Sequence, residues 1–316
     1  MTGSTWAGVF PAVNMPMDLD GTPSQQAFRR HVSWLASFDV AGLTINGHAG
    51  ELESLTPFER AAAISWARDA AGPDLRLIAG VTGMSTREVV ECAVEAEMAG
   101  ASALLVCPLP HFSFGAVDDP GLVVPYFAAI AEAVSIPLVI FRYHEQSGLR
   151  YSVPVLVEIA RQVEQVVGIK DSSFDYEAAW TEFQYFDRKV ALLVAQGSLF
   201  LSRFRTADGA ISSFANVAPE YLVEMFRLCQ AGELDQAREA FGRVRGLSRA
   251  IYGMVPLMQH WAVEKEALHA RGRFPTSVCR PPFQPLSPAD VAAVRQAVAE
   301  AGLAEAGLAE EVTVDA

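Results

Sequence analysis

The sequence predicts a (β/α)8 barrel, an α/β fold in which eight parallel strands close into a cylinder. Short β-branched or apolar runs alternate along the chain with longer stretches of helical periodicity. The strand-like runs are apolar almost throughout, which is typical of parallel strands covered on both faces. There are eight such runs, the number that favours a closed barrel over an open sheet.

The eight predicted strands lie within the first 218 residues. In chain order they cover residues 7–13, 40–45, 75–81, 101–107, 137–142, 166–170, 190–195 and 208–213. In such barrels the active site is built from residues that follow the carboxyl ends of the strands. Polar groups are therefore expected at the barrel mouth from Asn14 after the first strand, Gly197-Ser198 after the seventh and residues 212–216 after the eighth.

Several predicted helices begin at recognisable capping residues. Thr22-Pro23 and Thr56-Pro57 each place a hydroxyl N-cap before a proline at the first helical position. Ser85 begins a capping box that continues to Glu88. Three further helices are predicted, over 124–134, after Ser152-Val153-Pro154 and over 175–186.

From residue 219 onward the pattern is helical only. Helices are predicted over 219–230, 232–248, 251–271 and 287–301. We expect residues 219–302 to form an appendage packed on the barrel of residues 1–218. The segment 303–316 repeats part of the sequence before it and is predicted to be a flexible tail.

The composition excludes several classes of protein. A net charge of −13 argues against binding to nucleic acid or to an anionic membrane, and 51% hydrophobic residues indicate a large core. The four cysteines are far apart and show no metal-ligand spacing, so reduced thiols in a cytoplasmic protein are expected. No metal site, signal peptide or transmembrane segment is predicted. His31, His260 and His269 lie in helical patterns and are predicted to be structural.

One lysine stands out by its position. The chain has three lysines, and Lys170 alone follows a β-branched apolar run, whereas Lys189 and Lys265 lie in polar segments. Burial of an ammonium group is costly, so such a lysine lowers its pKa or acquires a partner. A partly neutral lysine is a nucleophile for carbonyl groups and begins Schiff-base chemistry. A lysine that reaches solvent or pairs with Asp171 fits the local sequence equally well.

Four segments together resemble the dihydrodipicolinate synthase / N-acetylneuraminate lyase family. Gly168-Ile169-Lys170-Asp171 resembles the motif G-[IV]-K-[DE], whose lysine forms a Schiff base with pyruvate or a related 2-oxo acid. Residues 47–51 occupy the place of the family's G-T-T-G-E turn. Residues 209–219 resemble its G-x-I-S-x-x-A-N-x-x-P run, and residues 280–286 its R-x-P-x-x-P-L ending. The resemblance covers about residues 6–300.

The resemblance implies a cofactor-independent class I aldolase or lyase in which Lys170 holds a small 2-oxo acid as a covalent imine. It also implies a homo-oligomer, either a dimer or a tetramer. Two alternatives remain open. One is a Schiff-base dehydratase of a deoxy-oxo sugar acid, and the other is a degenerate barrel that binds a 2-oxo acid without turning it over. The tail of the substrate is not determined by the sequence.

The carboxylate-binding turn departs from the family pattern. His48 and Ala49 stand where the family has two hydroxyl side chains. The backbone amides from Gly47 to Gly50 are expected to bind the substrate carboxylate as an anion nest, with a protonated His48 adding charge. Alternatively, His48 only caps the turn. Ile211, in the third resembling segment, is also expected at the substrate site.

Proton transfer must differ from the family pattern as well. The family's tyrosine falls on Phe141, which cannot carry a proton. Tyr143 lies two residues further, so in an extended strand it points to the same side, and it is the first candidate for acid–base work. His144 is the second candidate, and water is the alternative to both.

Two further residues are expected to bind substrate. Arg142 and His111 are candidates to contact a second carboxylate or a hydroxyl group. His111 lies in residues 109–112, which replace a tyrosine-rich patch of the family's synthases. That replacement argues against dihydrodipicolinate synthase activity itself.

Overall fold

The computed structural model describes residues 6–186, 188–195, 200–253 and 259–304. Eight parallel strands form one sheet, so the predicted (β/α)8 barrel is confirmed. The strands, named β1 to β8 in chain order, are Gly8–Pro11, Gly42–Ile45, Arg76–Val81, Ala103–Val106, Leu138–Arg142, Val166–Asp171, Ala191–Val194 and Gly209–Ser212.

The sheet closes on itself between its first two strands. Neighbouring strands pair in the order β1-β8-β7-β6-β5-β4-β3-β2. A parallel bridge between Ala12 and Thr44 joins the two ends of this order. The amide of Val13 donates to the Thr44 carbonyl oxygen over 2.9 Å. The carboxyl ends of all eight strands therefore surround one mouth.

The helices follow the predicted alternation with shifts of a few residues. Those described are α1 Gln25–Leu35, α2 Pro57–Ala71, α3 Thr86–Met98, α4 Pro120–Ala133, α5 Val153–Gln162, α6 Tyr176–Phe183, α7 Phe200–Arg203, α8 Phe214–Val217, α9 Pro219–Gln230, α10 Leu234–Gly253, α11 His260–Ala270 and α12 Pro288–Glu300. None of these helices combines the length and the apolar character needed to cross a membrane.

The capping predictions are confirmed at α2, confirmed in part at α3 and wrong at α1. Thr56 forms a full capping box at α2. At α3 Ser85 is the N-cap and accepts a hydrogen bond from the Glu88 amide, but the predicted box is incomplete, because the Glu88 carboxylate accepts from the Met84 amide instead. Helix α1 begins after Ser24 rather than after Thr22. The reason is that Pro23 is held in an antiparallel bridge with Met17, which keeps it extended.

The core has two layers. Alternate strand residues fill the inside of the barrel, and the intervening ones pack under the helices. The inner layer contains Phe10, Ile78, Leu105, Val139, Leu193 and Ile211. Burial of each large aliphatic side chain contributes about 1.5–3 kcal/mol, so this layer makes a rigid base beneath the mouth.

The C-terminal helices pack on the barrel and on each other. Helix α9 contacts β1, and α11 reaches the turn formed by residues 48–50 beside the mouth. Of the helix predicted over 251–271, the described residues form the end of α10, which continues to Gly253, and α11, which begins at His260. The part of that prediction at 254–258, and residues 305–316 of the predicted tail, lie outside the described residues.

Candidate active site

Lys170 lies near the carboxyl end of β6 and points into the barrel. Its neighbours in the adjoining strands are Phe141 and Leu193, which both belong to the inner apolar layer. The residue is only 6% exposed. The Nζ atom lies 4.0 Å from the centroid of the Phe141 ring. The alternative pairing with Asp171 does not form, because the Asp171 carboxylate is bound by Arg142 and Ser173.

Burial changes the chemistry of this amine. Desolvation lowers the pKa of Lys170 to about 8, although nearby Cys107, Glu264 and Glu53 favour the charged form. An amine with that pKa is neutral in about one molecule in ten at pH 7, against about one in three thousand for an ordinary lysine. The side chain can therefore attack a carbonyl carbon near neutral pH.

Three rings lie together above the lysine. The ring centroids of Phe141 and Tyr143 are 4.3 Å apart, so both side chains point inward, as strand alternation predicts. The His48 ring lies 4.6 Å from Tyr143 and 5.3 Å from Phe141. The sequence-predicted residues Lys170, Tyr143 and His48 are thus brought to one end of the barrel around Phe141.

The Tyr143 phenol is held in its protonated form. Burial raises the pKa of Tyr143 well above its usual value, and the nearby Cys107 thiol adds to this rise. Burial likewise raises the pKa of Cys107 to about 12. Both groups remain neutral at physiological pH, so Tyr143 is suited to donate a hydrogen bond.

The turn after β2 is a short 3-10 helix between two residues with positive φ. His48–Gly50 form the 3-10 turn, and the flanking Asn46 and Glu51 have φ values of 55° and 57°. Such non-glycine conformations cost of order 1–3 kcal/mol and cluster at functional sites. The amides of Gly50 and Glu51 bond within the turn, whereas His48 and Ala49 supply the N–H groups at its amino end.

Contacts from distant segments brace this turn. A methyl group at Gly80 of β3 would lie 1.8 Å from the Asn46 carbonyl oxygen, so the residues before the turn pack directly against the backbone of this glycine. The buried Glu51 carboxylate pairs with Lys265 of α11 and accepts from the Arg280 amide over 2.9 Å. Lys265 is fully buried despite the polar sequence around it.

Arg142 lies at the end of β5 and is fully buried. Its guanidinium group donates to the carboxylates of Asp171 and Asp175, to the Ser173 hydroxyl and to the Tyr151 carbonyl oxygen, over 2.8–3.0 Å. These partners engage all three of its nitrogens. Arg142 therefore joins the loop after β6 to β5.

The remaining predicted site residues differ in how near they lie to the lysine. Ile211 is buried inside the barrel and belongs to the same inner layer as Phe141. His144 accepts a hydrogen bond from the Gln146 amide over 3.2 Å, which places it in the loop after β5. His111 is exposed on the loop after β4. Residues 197–198 lie outside the described residues.

Sequence reasoning missed a buried carboxyl group at the mouth. Glu264 of α11 is fully buried, and its Oε2 accepts from Asn14 Nδ2 over 3.1 Å. The same Asn14 amide donates to the Ala49 carbonyl oxygen over 2.7 Å, which ties Glu264 to the carboxylate-binding turn. The local sequence around Glu264 alternates charged residues as an exposed helix does, so no local signal marked it.

Comparison with known proteins supports the family resemblance. The family model for the dihydrodipicolinate synthetase family matches residues 5–301. The 4-hydroxy-tetrahydrodipicolinate synthase of Rhizobium meliloti is 30% identical over 297 residues, which cover 94% of this chain and 98% of that relative.

Solved structures share the fold of this chain. A dihydrodipicolinate synthase from Aquifex aeolicus superposes with a TM-score of 0.86 at 22% identity, covering 96% of this chain and all of the other. A chloride-inhibited dihydrodipicolinate synthase from Acinetobacter baumannii, solved in complex with pyruvate, has a TM-score of 0.81 at 26% identity, covering 94% of this chain and 99% of the other.

Proposed function

Because the chain belongs to the dihydrodipicolinate synthetase family, we propose that it is a class I carbon–carbon lyase acting on pyruvate or a related 2-oxo acid through Lys170. The observation that carries the proposal is the buried amine of Lys170, whose pKa is lowered to about 8 by desolvation. A nucleophile of this kind attacks the ketone carbon of a 2-oxo acid and loses water to give an iminium ion. The iminium then accepts the electrons of the breaking C–C bond as an enamine.

The substrate carboxylate is assigned to the turn at residues 47–50. Helix amino ends offer N–H groups without partners inside the helix, and these bind anions well. The amides of His48 and Ala49 occupy that position. His48 also contacts Glu53 through Nε2 and Oε1, 3.0 Å apart, so its ring is oriented by a carboxylate. A protonated His48 would add positive charge beside the bound anion.

Tyr143 is assigned the proton transfer that accompanies imine formation. Its ring lies against Phe141, which in turn contacts the Lys170 ammonium group. A phenol that stays protonated can donate to the hydroxyl group that leaves when the carbinolamine loses water. His144 is the less favoured choice because its Nδ1 atom is engaged in the loop after β5.

Arg142 and His111 have weaker support as substrate contacts. The Arg142 guanidinium is fully buried among carboxylates, so it is assigned a structural role at this site. His111 is exposed on the loop after β4, where it is available only to the distal end of a long substrate. Ile211 is retained as part of the apolar wall beneath the substrate.

The chemistry proposed for Lys170 requires no added cofactor, because the iminium itself is the electron sink. Pyruvate is the first substrate to test, since it is the ligand named for the Acinetobacter baumannii relative.

We also propose that the protein forms a homo-oligomer, a dimer or a tetramer. Light scattering on the purified protein tests this directly.

Borohydride trapping tests the proposed function. The protein is incubated with pyruvate, reduced with borohydride and digested, and the peptides are identified by mass spectrometry. We expect a reduced pyruvyl adduct on Lys170 and none in Lys170→Ala. Lys189, whose side chain is 57% exposed, is the internal control for adventitious labelling.

The outcome also separates the related functions. Absence of an adduct with pyruvate and with a panel of longer 2-oxo acids would contradict the lyase. Release of free pyruvate from a cleaved substrate supports the lyase over a dehydratase, because a dehydratase keeps the carbon chain whole. An adduct without any product from that panel would favour the degenerate binding barrel.

A further inference from the structure

His48 and Glu53 form a histidine–carboxylate pair at the barrel mouth. His48 Nε2 and Glu53 Oε1 are 3.0 Å apart. Desolvation opposes charge on Glu53, but the charge and hydrogen bond of His48 lower its pKa below the usual value, so the carboxyl group is ionised near neutral pH. A carboxylate has no proton to donate, so Nε2 carries the hydrogen, and in the neutral ring Nδ1 carries the lone pair.

The other ring nitrogen of His48 is left for a substrate. The residues that the structure describes give no hydrogen bond to Nδ1, and the His48 side chain keeps 17% of its surface exposed. A histidine with one nitrogen held by a carboxylate and the other unengaged is the arrangement of a general base with its orienting partner.

The pair reaches Lys170 through a single ring. The His48 ring lies 5.3 Å from that of Phe141, and Lys170 Nζ lies 4.0 Å from the same Phe141 ring. The two distances keep the His48 ring centre within about 9 Å of Nζ, a gap that a bound substrate bridges directly or with one water. His48 is therefore part of the aromatic lining around the Schiff-base lysine.

The proposed orientation of the substrate directs its third carbon toward this gap. The ketone carbon C2 is bonded to Lys170, and the carboxylate is assigned to the amides of His48 and Ala49. Carbon C3 is attached to C2, so it lies close to both anchored groups. The imidazole of His48 extends from the same turn that holds the carboxylate, which makes it the basic side chain nearest to C3 in this arrangement.

The other polar groups of the mouth are less suited to take a proton. Tyr143 and Cys107 keep their own protons, because burial raises the pKa of the phenol well above its usual value and that of the thiol to about 12. His144 Nδ1 accepts a hydrogen bond within its loop. Glu264 bonds to Asn14 over 3.1 Å, and among the described residues no ring or hydrogen-bond contact joins it to the aromatic lining.

We propose that His48, oriented by Glu53, is the general base and acid at substrate carbon C3, a role that rests on the proposed Schiff-base function. His48 Nδ1 takes a proton from C3 of the pyruvyl iminium on Lys170. The electron pair of the broken C3–H bond forms the C2=C3 bond, and one C=N electron pair moves to nitrogen to give the neutral enamine. Glu53 stabilises the imidazolium, which returns the proton to C3 in the reverse step.

Exchange of the pyruvate methyl protons tests this assignment without an aldehyde substrate. Full-length protein is incubated with saturating pyruvate in D2O, and loss of the methyl signal is followed by proton NMR. We expect His48→Gln to keep the borohydride adduct on Lys170 and to lose about 10² or more in exchange rate, the usual contribution of a general base. A loss below about tenfold would overturn the proposal, as would a wild-type protein that forms the adduct without exchange.

His269→Gln is the matched control for the loss of a histidine. His269 lies on α11, and its Nδ1 is 2.9 Å from the Phe274 carbonyl oxygen, so the change removes a structural contact away from the aromatic lining. We expect its exchange rate to stay within about threefold of wild type. An equal loss of exchange in the two variants would mean a general effect on the fold and would overturn the assignment.

Glu53 is a positioning residue, and its variants separate orientation of the base from substrate binding. Glu53→Gln should lower exchange at saturating pyruvate by about tenfold or more, while the half-saturating concentration stays within about threefold. Glu53→Asp keeps a carboxylate and should recover part of the rate. Glu91→Gln is the control, since Glu91 is 59% exposed and pairs with Arg87 on α3. Equal rates in Glu53→Gln and Glu53→Asp would overturn the positioning role.

A further variant guards against misfolding of His48→Gln. His48→Ala removes the imidazole and leaves space for a small base, so added imidazole is expected to restore exchange in proportion to its concentration, a gain that the wild type does not show. Absence of rescue in a folded His48→Ala protein would overturn the role of the imidazole. Failure of wild-type protein to form the Lys170 adduct is a different result, because it removes the proposed function itself.

Discussion

The pH dependence of imine formation is the most direct measure of the environment of Lys170. Only the neutral amine attacks a carbonyl group, so the rate follows the fraction of lysine that is unprotonated. Burial among Phe141, Leu193 and the other inner-layer residues lowers the lysine pKa to about 8. The neutral fraction is then about 1% at pH 6, about 9% at pH 7, about half at pH 8 and about 90% at pH 9.

The sign and shape of the profile follow from these fractions. Because the pKa is lowered, the neutral form appears at lower pH than in an exposed lysine. The rate should rise nearly tenfold from pH 6 to pH 7, about fivefold to pH 8 and less than twofold to pH 9. An ordinary lysine, with a pKa of about 10.4, would instead give close to tenfold per pH unit throughout this range.

The assay is the initial rate of pyruvyl adduct formation in the presence of cyanoborohydride, measured by intact mass spectrometry at each pH. Lys170→Ala gives the background at every pH. Circular dichroism at pH 6 and pH 9 checks that the barrel stays folded. A rate that still rises tenfold between pH 8 and pH 9 would refute the argument that burial activates this amine.

Three further predictions follow from contacts near the site. Tyr143→Phe keeps the aromatic ring and removes the hydroxyl group. The rate of Lys170-dependent trapping should therefore fall by about 10², while the free energy of unfolding stays the same. An unchanged trapping rate would contradict the role assigned to the Tyr143 hydroxyl. Arg142→Met leaves the fully buried Asp171 without its cation, whereas Asp175 keeps Arg150, and should lower the free energy of unfolding by about 3–5 kcal/mol in a urea titration; a loss below about 1 kcal/mol would argue against the buried ion pair. Gly80→Ala places a methyl group 1.8 Å from the Asn46 carbonyl oxygen and should displace the carboxylate-binding turn. We therefore expect a higher pyruvate concentration for half-maximal trapping. Gly242→Ala is the control, because its new methyl group has nothing within 4 Å, and it should bind pyruvate as the wild type does.

Much of the barrel was predictable because its signals are local. Each strand carries its own apolar run, and helices such as α2 and α3 carry their own N-caps. These features depend on residues that are neighbours in sequence, so they are read directly from the chain. The start of α1 was misplaced because the bridge between Met17 and Pro23 overrides a local cap signal.

The position of Lys170 was also set by the sequence, since a lysine at the end of a buried strand must lie at the barrel mouth. Strand alternation likewise placed Phe141 and Tyr143 on one side. The sequence did not reveal what Lys265, Arg142 and Glu264 do. Lys265 and Glu264 stand in a run of charged residues that suits a surface, and Arg142 was expected to contact substrate, yet all three are fully buried.

Only the tertiary structure decided those three roles, because their partners are distant in sequence or lie in another element. Lys265 neutralises Glu51 across 214 positions, and Glu264 meets Asn14 across 250. Burial of a charged group depends on what the rest of the fold brings beside it. The sequence thus determined the barrel and its lysine, and the packing of helix α11 against the turn at residues 48–50 determined that Glu264 and Lys265 are buried beside the mouth.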